Sequence, residues 1–166
     1  MISDLESDST LRRVVIGALR LPAQCAVWKP GLLALSGRPT DTNHARIQPP
    51  LIAGDHEIVA YQRSRLEMVA VVTARAGAHV VDWRPLGFEM QSHLVIAPAD
   101  IEKPVDFPGR AHPDGVDARS WVHIAALLDG RPYVWIEDPA GVPAIRTHVG
   151  LDAAGSTAAI LVEMRH

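Results

Sequence analysis

Apolar and polar residues alternate one by one in segment after segment of this 166-residue chain. Phe88, Met90, Leu94 and Ile96 line one side of such a stretch, with Glu89, Gln91 and His93 on the other. Leu66, Met68, Ala70 and Val72 alternate against Glu67 and Thr73, and Ala158, Ile160, Val162 and Met164 repeat the pattern near the chain end. Successive side chains of a strand point to opposite faces, so a period of two specifies half-buried strands of antiparallel sheets. In 121–128 both sets are apolar: Val122, Ile124, Ala126 and Leu128 alternate with Trp121, His123, Ala125 and Leu127. That strand is expected to be covered on both faces. The fold class that follows is mainly β, an antiparallel barrel or sandwich.

Turn chemistry divides the strands. Asp129-Gly130 supplies the positive φ angles of a tight hairpin turn and joins 121–128 to 133–137. Pro132 has no backbone donor and belongs at a strand start or edge. A second hairpin is expected through Ala76-Gly77, from a strand ending near Arg75 to 78–84. Over 57–75 a helical face competes, because Ile58, Tyr61, Val69, Val72 and Ala76 also fall on one side of a helix.

One α-helix is expected near the N-terminus. Leu11, Val14, Val15, Ala18 and Leu19 follow the i, i+3, i+4, i+7, i+8 spacing of a buried helical stripe. Ser9 or Thr10 can cap it, and Asp4, Glu6 and Asp8 precede its positive end. Pro22 stops it. The β-branched run Val14-Val15-Ile16 is the competing strand signal.

The length fits a single domain over 1–166, with an acidic N-terminal tail at 1–8 and two proline-rich long loops at 36–56 and 98–119. A formal charge of −3 gives no basic field, which argues against nucleic acid as a partner. Lys29 and Lys103 are the only lysines among 16 basic residues. With abundant Ala, Gly and Pro, that arginine bias fits a GC-rich, bacterial type of coding and is not an RNA-binding signal. Cys25 is the single cysteine, so neither an intrachain disulfide nor a cysteine zinc cluster can form. No run approaches the ~20 apolar residues of a membrane helix. The expected location is cytoplasmic, with export only if a signal peptide has been removed.

The chain lacks a phosphate loop, a dinucleotide fingerprint, His-Glu-x-x-His and Gly-x-Ser-x-Gly. His112-Pro113-Asp114, with His123 or His148 as third ligand, resembles the metal-binding set of iron/2-oxoglutarate oxygenases. That resemblance implies a divalent metal held by His112, Asp114 and His123. The family pattern also has a basic residue soon after the distal His, whereas the next one after His148 is Arg165. The strand side carrying Glu89, Gln91 and His93 is a candidate ligand-binding face, and Arg146 with His148 is a candidate anion-binding pair. Cys25 follows Gln24 and precedes Ala26, Val27 and Trp28, a setting that suits a buried small hydrophobe.

Residues 121–151, reading WVHIAALLDGRPYVWIEDPAGVPAIRTHVGL, resemble the membrane-proximal β-domain of periplasmic efflux adaptor proteins. Those proteins are non-catalytic assembly components. The resemblance implies a β-meander of strand, Asp-Gly turn, strand, turn and strand.

The expected function is a non-enzymatic β-rich binding or assembly module. A protein partner, or a second copy, would add at a sheet edge, and no cofactor is required. The alternative is a small-molecule-binding β-barrel enzyme, His/Asp metal-dependent. Loops 36–56 and 98–119 would then bring His44, His56, His112 and Asp114 together at one pocket mouth.

Overall fold

The computed structural model describes residues 2–29, 44–90, 93–101, 118–137 and 144–165. Among the described residues a short helix, α1 (Ile2–Ser7), precedes eleven strands. These are β1 (Arg12–Leu21), β2 (Cys25–Trp28), β3 (His44–Arg46), β4 (Gly54–Ser64), β5 (Glu67–Arg75), β6 (Asp82–Met90), β7 (His93–Pro98), β8 (Val122–Ala126), β9 (Pro132–Glu137), β10 (Ala144–Leu151) and β11 (Thr157–Arg165). A 3-10 turn, Ala118–Ser120, leads into β8.

The strands form two antiparallel sheets. Sheet A has the order β1-β4-β5-β11-β10-β6, and sheet B the order β3-β2-β7-β9-β8. The architecture is a sandwich and not a closed barrel. Its centre is filled from both sides, by Val14, Leu21, Ile58, Val71, Ile145, Ile160 and Val162 of sheet A and by Val27, Leu94, Ile96, Val122, Val134 and Ile136 of sheet B. At roughly 25 cal/mol per Å2 of apolar surface removed from water, burial of this layer is the main force holding the sheets together.

Each sheet also buries much of its outward face. On sheet A, Val59, Tyr61, Ala70, Val72 and Leu161 meet Ile2 and Leu5 of α1, together with Leu11. On sheet B, Ala26, Trp28, Val95, Ala97, Tyr133 and Trp135 form a separate buried layer with Ala99 and Ile101. The strand expected to be covered on both faces at 121–128 is covered only in part: Val122 enters the inter-sheet core and Ala125 and Leu127 pack on the outer layer, but Ile124, Ala126 and Leu128 are exposed.

The helix does not lie where the stripe from Leu11 to Leu19 placed it. That segment is β1, and the helix occupies the acidic stretch before it. A β-bulge between Val15 and Gly17 explains the deceptive spacing. Val14 pairs with Ala60 on the core side, and beyond the bulge Leu19 pairs with the core-facing His56. The inward residues are therefore Val14, Leu19 and Leu21, which breaks strict alternation. The same effect resolves 57–75 as the hairpin β4–β5. A register shift beside Val69 leaves Met68 in the inter-sheet core and turns Ala70 and Val72 to the outer face.

Three further expectations are corrected. Ala76-Gly77 does not close a hairpin: β5 pairs with β4 and β11, whereas β6 pairs with β10 across the sheet. The alternating stretch 88–96 is not one strand, because β6 belongs to sheet A and β7 to sheet B. The meander implied for 121–151 ends after two strands, because β8 and β9 pair in sheet B and β10 joins sheet A. The hairpin itself forms, with Pro132 opening β9. Its loop is longer than a two-residue turn. Gly130 N donates to Leu127 O at 2.9 Å and Leu127 N to Arg131 O at 2.8 Å. Gly130 stands at φ +89°, the left-handed position such a three-residue loop requires.

Candidate functional site

The outer face of sheet B collects more aromatic and imidazole rings than any other described part of the molecule. Cross-strand register builds the row. Trp28 of β2 lies opposite His44 of β3 on one side and Val95 of β7 on the other. Val95 lies opposite Trp135 of β9, and Trp135 opposite His123 of β8. The row across the sheet therefore runs His44, Trp28, Val95, Trp135, His123, with His93 facing Glu137 one step further along.

The rings touch. Trp28 and His44 stack with centroids 4.5 Å apart and planes 17° from parallel. His93 meets Trp135 edge-on, with centroids 5.8 Å apart and an interplanar angle of 65°. Glu137 Oε1 lies 3.2 Å from His93 Nε2 and accepts its hydrogen bond. His123 Nε2 lies 3.1 Å from the Ser120 carbonyl, which only accepts, so this nitrogen carries the proton. Trp28 and Val95 are fully buried. The layer is thus an internal one, with imidazole edges and a carboxylate around an apolar centre.

Both proline-rich loops of the sequence contribute described residues to it. His44 lies within 36–56, and Ala99 and Ile101 lie within 98–119. Below this layer Arg131 binds Asp129 at 2.8 Å and Asp100 at 2.5 Å, fixing the β8–β9 loop to the chain leaving β7.

The other sequence candidates are dispersed. His93 is in the layer, but Glu89 lies on β6 of sheet A, its backbone opposite Arg146. Gln91, His112 and Asp114 lie outside the described residues. Arg146 and His148 share the outward side of β10, while Ile145, Thr147 and Val149 between and beside them are buried. That is the opposite side of the sandwich from His93 and His123. His56 faces neither outer layer; it is fully buried between the sheets. His44 and His56 are therefore not brought together. Among the described residues no three His, Cys, Asp or Glu side chains are grouped to hold a metal ion.

Buried titratable groups are set against charge. The Cys25 thiol is pushed up to about 12, by burial first and by the negative charge of Asp100 second. Its Sγ lies 3.2 Å from the Pro22 carbonyl. A thiol so poorly ionised is a packing group and a weak nucleophile. Sequence reasoning missed Trp28, His44 and Glu137 as members of one layer. The alternation Tyr133, Trp135, Glu137 was visible in the chain, but the register that sets Trp28 beside His44 was not.

Neither a family model, a curated protein nor a solved structure matches the chain. Among the described residues no helix is long and apolar enough to cross a membrane.

Proposed function

We propose that this protein is a non-enzymatic binding module and that the outer face of sheet B is its recognition layer. The observation that carries this is the row His44, Trp28, Val95, Trp135 and His123, with His93 and Glu137 at its rim. Ligand sites are typically apolar and aromatic with a few placed polar groups, and they are most precise when built on rigid elements. Here the strands hold the rings in fixed register; the indoles are buried, and the half-buried imidazoles His44, His93 and His123 are where a ligand reaches the layer and finds hydrogen bonds. The ligand class that suits this chemistry is a small planar molecule with an apolar face and a polar rim.

The test uses anilinonaphthalene sulfonate as a planar probe, with energy transfer from tryptophan as the signal. The native protein should bind it at one saturable site. His44→Ala and His93→Ala should each weaken binding, the two together by about tenfold, the equivalent of ~1.4 kcal/mol. Trp83→Phe, on sheet A, should leave it unchanged. Near-UV circular dichroism must stay native throughout, since a loosened core also takes up this probe. Absence of binding, or equal affinity in all variants, rejects the proposal.

A further inference from the structure

Three polar atoms at one end of the inter-sheet core are buried without a hydrogen-bond partner: His56 Nε2, Thr73 Oγ1 and Arg75 Nε. The register brings them together. His56 lies directly opposite Arg75 across β4 and β5, and Thr73 is two residues from Arg75 on the same, inward side of β5. His56 and Thr73 are both fully buried. The arginine head is fixed, because its Nη1 donates to the Asp55 carbonyl at 3.3 Å.

The protonation pattern is also fixed. His56 Nδ1 is 2.8 Å from the Gly54 carbonyl, which can only accept, so Nδ1 carries the proton. Nε2 is then a bare lone pair in need of a donor. Arg75 Nε is a donor in need of an acceptor, and the Thr73 hydroxyl can play either part. An unpaired buried polar group costs about 1–3 kcal/mol, so three beside one another call for a common partner. That partner must donate to a lone pair and accept from an N–H at once. Water does both, and buried waters make about three hydrogen bonds to such groups.

We propose that one water molecule is a fixed component of this core, donating to His56 Nε2, accepting from Arg75 Nε and completing its bonding at Thr73 Oγ1. An anion fits less well, because the bare Nε2 would repel it while the imidazole is neutral. Burial lowers the His56 pKa and so keeps the ring neutral.

A crystal structure of the whole chain at atomic resolution tests this directly. A single solvent peak within about 3.2 Å of all three atoms is the expected result. A direct contact between His56 Nε2 and Thr73 or Arg75, with no peak between them, overturns it. Bromide-soaked crystals separate the two ligand chemistries: an anomalous peak at this position means an anion and overturns the assignment. In solution, imidazole 15N shifts at neutral pH should report a protonated Nδ1 and an unprotonated, hydrogen-bonded Nε2 for His56. A protonated Nε2 also overturns it.

Discussion

His56 makes acid sensitivity a property of the fold. Its ring is fully buried, and its pKa lies below the ordinary histidine value. Burial is the main cause; the Gly54 hydrogen bond opposes it, the positive charge of Arg75 adds to it, and the Asp55 carboxylate opposes it. In the unfolded chain the ring titrates near the ordinary value of about 6.5. Above that pH both states are neutral at this site, and His56 adds no pH dependence. Below it the unfolded chain binds a proton that the folded chain refuses, so folding stability falls as the pH falls. The slope approaches about 1.4 kcal/mol per pH unit until the folded pKa is passed. Urea unfolding at pH 7.5, 6.5 and 5.5 and constant ionic strength, in wild type and His56→Leu, isolates the effect. Other histidines and the carboxylates contribute to both proteins and cancel in the difference. The stability of wild type relative to the variant should be level well above pH 7 and should fall toward acid by up to about 1.0 kcal/mol between pH 6.5 and 5.5. A constant difference refutes the reasoning. A ring titration by NMR in the wild type is an independent check, since His56 should titrate below the ordinary value of about 6.5.

Other positions give sharper steric and hydrogen-bond tests. A Cβ added at Gly150 would lie 2.9 Å from the Trp83 ring and from Val80 Cγ1, so Gly150→Ala should destabilise by about 1–3 kcal/mol in thermal or urea unfolding. Gly77→Ala, with nothing within 4 Å but φ at +73°, should cost only the roughly 1–2 kcal/mol of a left-handed backbone. Gln62 Oε1 accepts the buried Ala118 amide at 2.6 Å, tying the 3-10 turn to β4. Gln62→Leu should cost about 1–3 kcal/mol and speed hydrogen exchange at Ala118. Cys25, with its thiol pushed up to about 12, should resist a thiol reagent at pH 8 in the native protein and react at once in urea; native reactivity would contradict its burial.

The strand character of this chain was legible because side-chain alternation is a local property, and Ile160, Val162 and Met164 enter the core as that alternation requires. What misled were the bulges. One extra residue between Val15 and Gly17 moves the inward set by one, and the resulting spacing of Val14, Val15, Ala18 and Leu19 copies a helix. The shift beside Val69 does the same between Met68 and Ala70. A bulge is defined by what the partner strand does, so it leaves little trace in the strand that carries it. Sheet membership was hidden for a related reason. The break between β6 and β7 interrupts a run whose apolar spacing in the sequence continues unbroken from Phe88 to Ile96, although β6 belongs to sheet A and β7 to sheet B. The candidate site was legible only in fragments: His93 stood out on a polar strand side and His123 as a polar member of an apolar strand, but their neighbours come from β2, β3 and β9.

The fold also bears on where a partner can engage. Strand edges are templates for another chain unless they are blunted. In sheet A, β6 carries Pro85, which offers no backbone donor, and Gly87 at φ +76°, and its register with β10 shifts between Arg146 and His148. The other edge, β1, bulges at its middle and bears the exposed Arg12, Arg13 and Arg20, with Arg13 and Arg20 paired to Glu57 and Asp55 of β4. Two copies meeting along β1 would confront like charges across a kinked ladder. In sheet B, β3 is three residues long and β8 five. Strand addition therefore has little straight, uncharged edge to use, and the notion of an edge-mediated assembly weakens accordingly. Faces remain. The outward side of sheet A is filled around Val59, Tyr61 and Val72 by α1, Leu11 and Trp83, with Arg146 and His148 along β10 on the same side. The outward side of sheet B places three imidazoles and a carboxylate around two indoles on strands that cannot shift without breaking the core beneath. Apolar packing is enough to close a sandwich, so the row of rings held in register across all five strands of sheet B is the part of this fold that stability alone does not require.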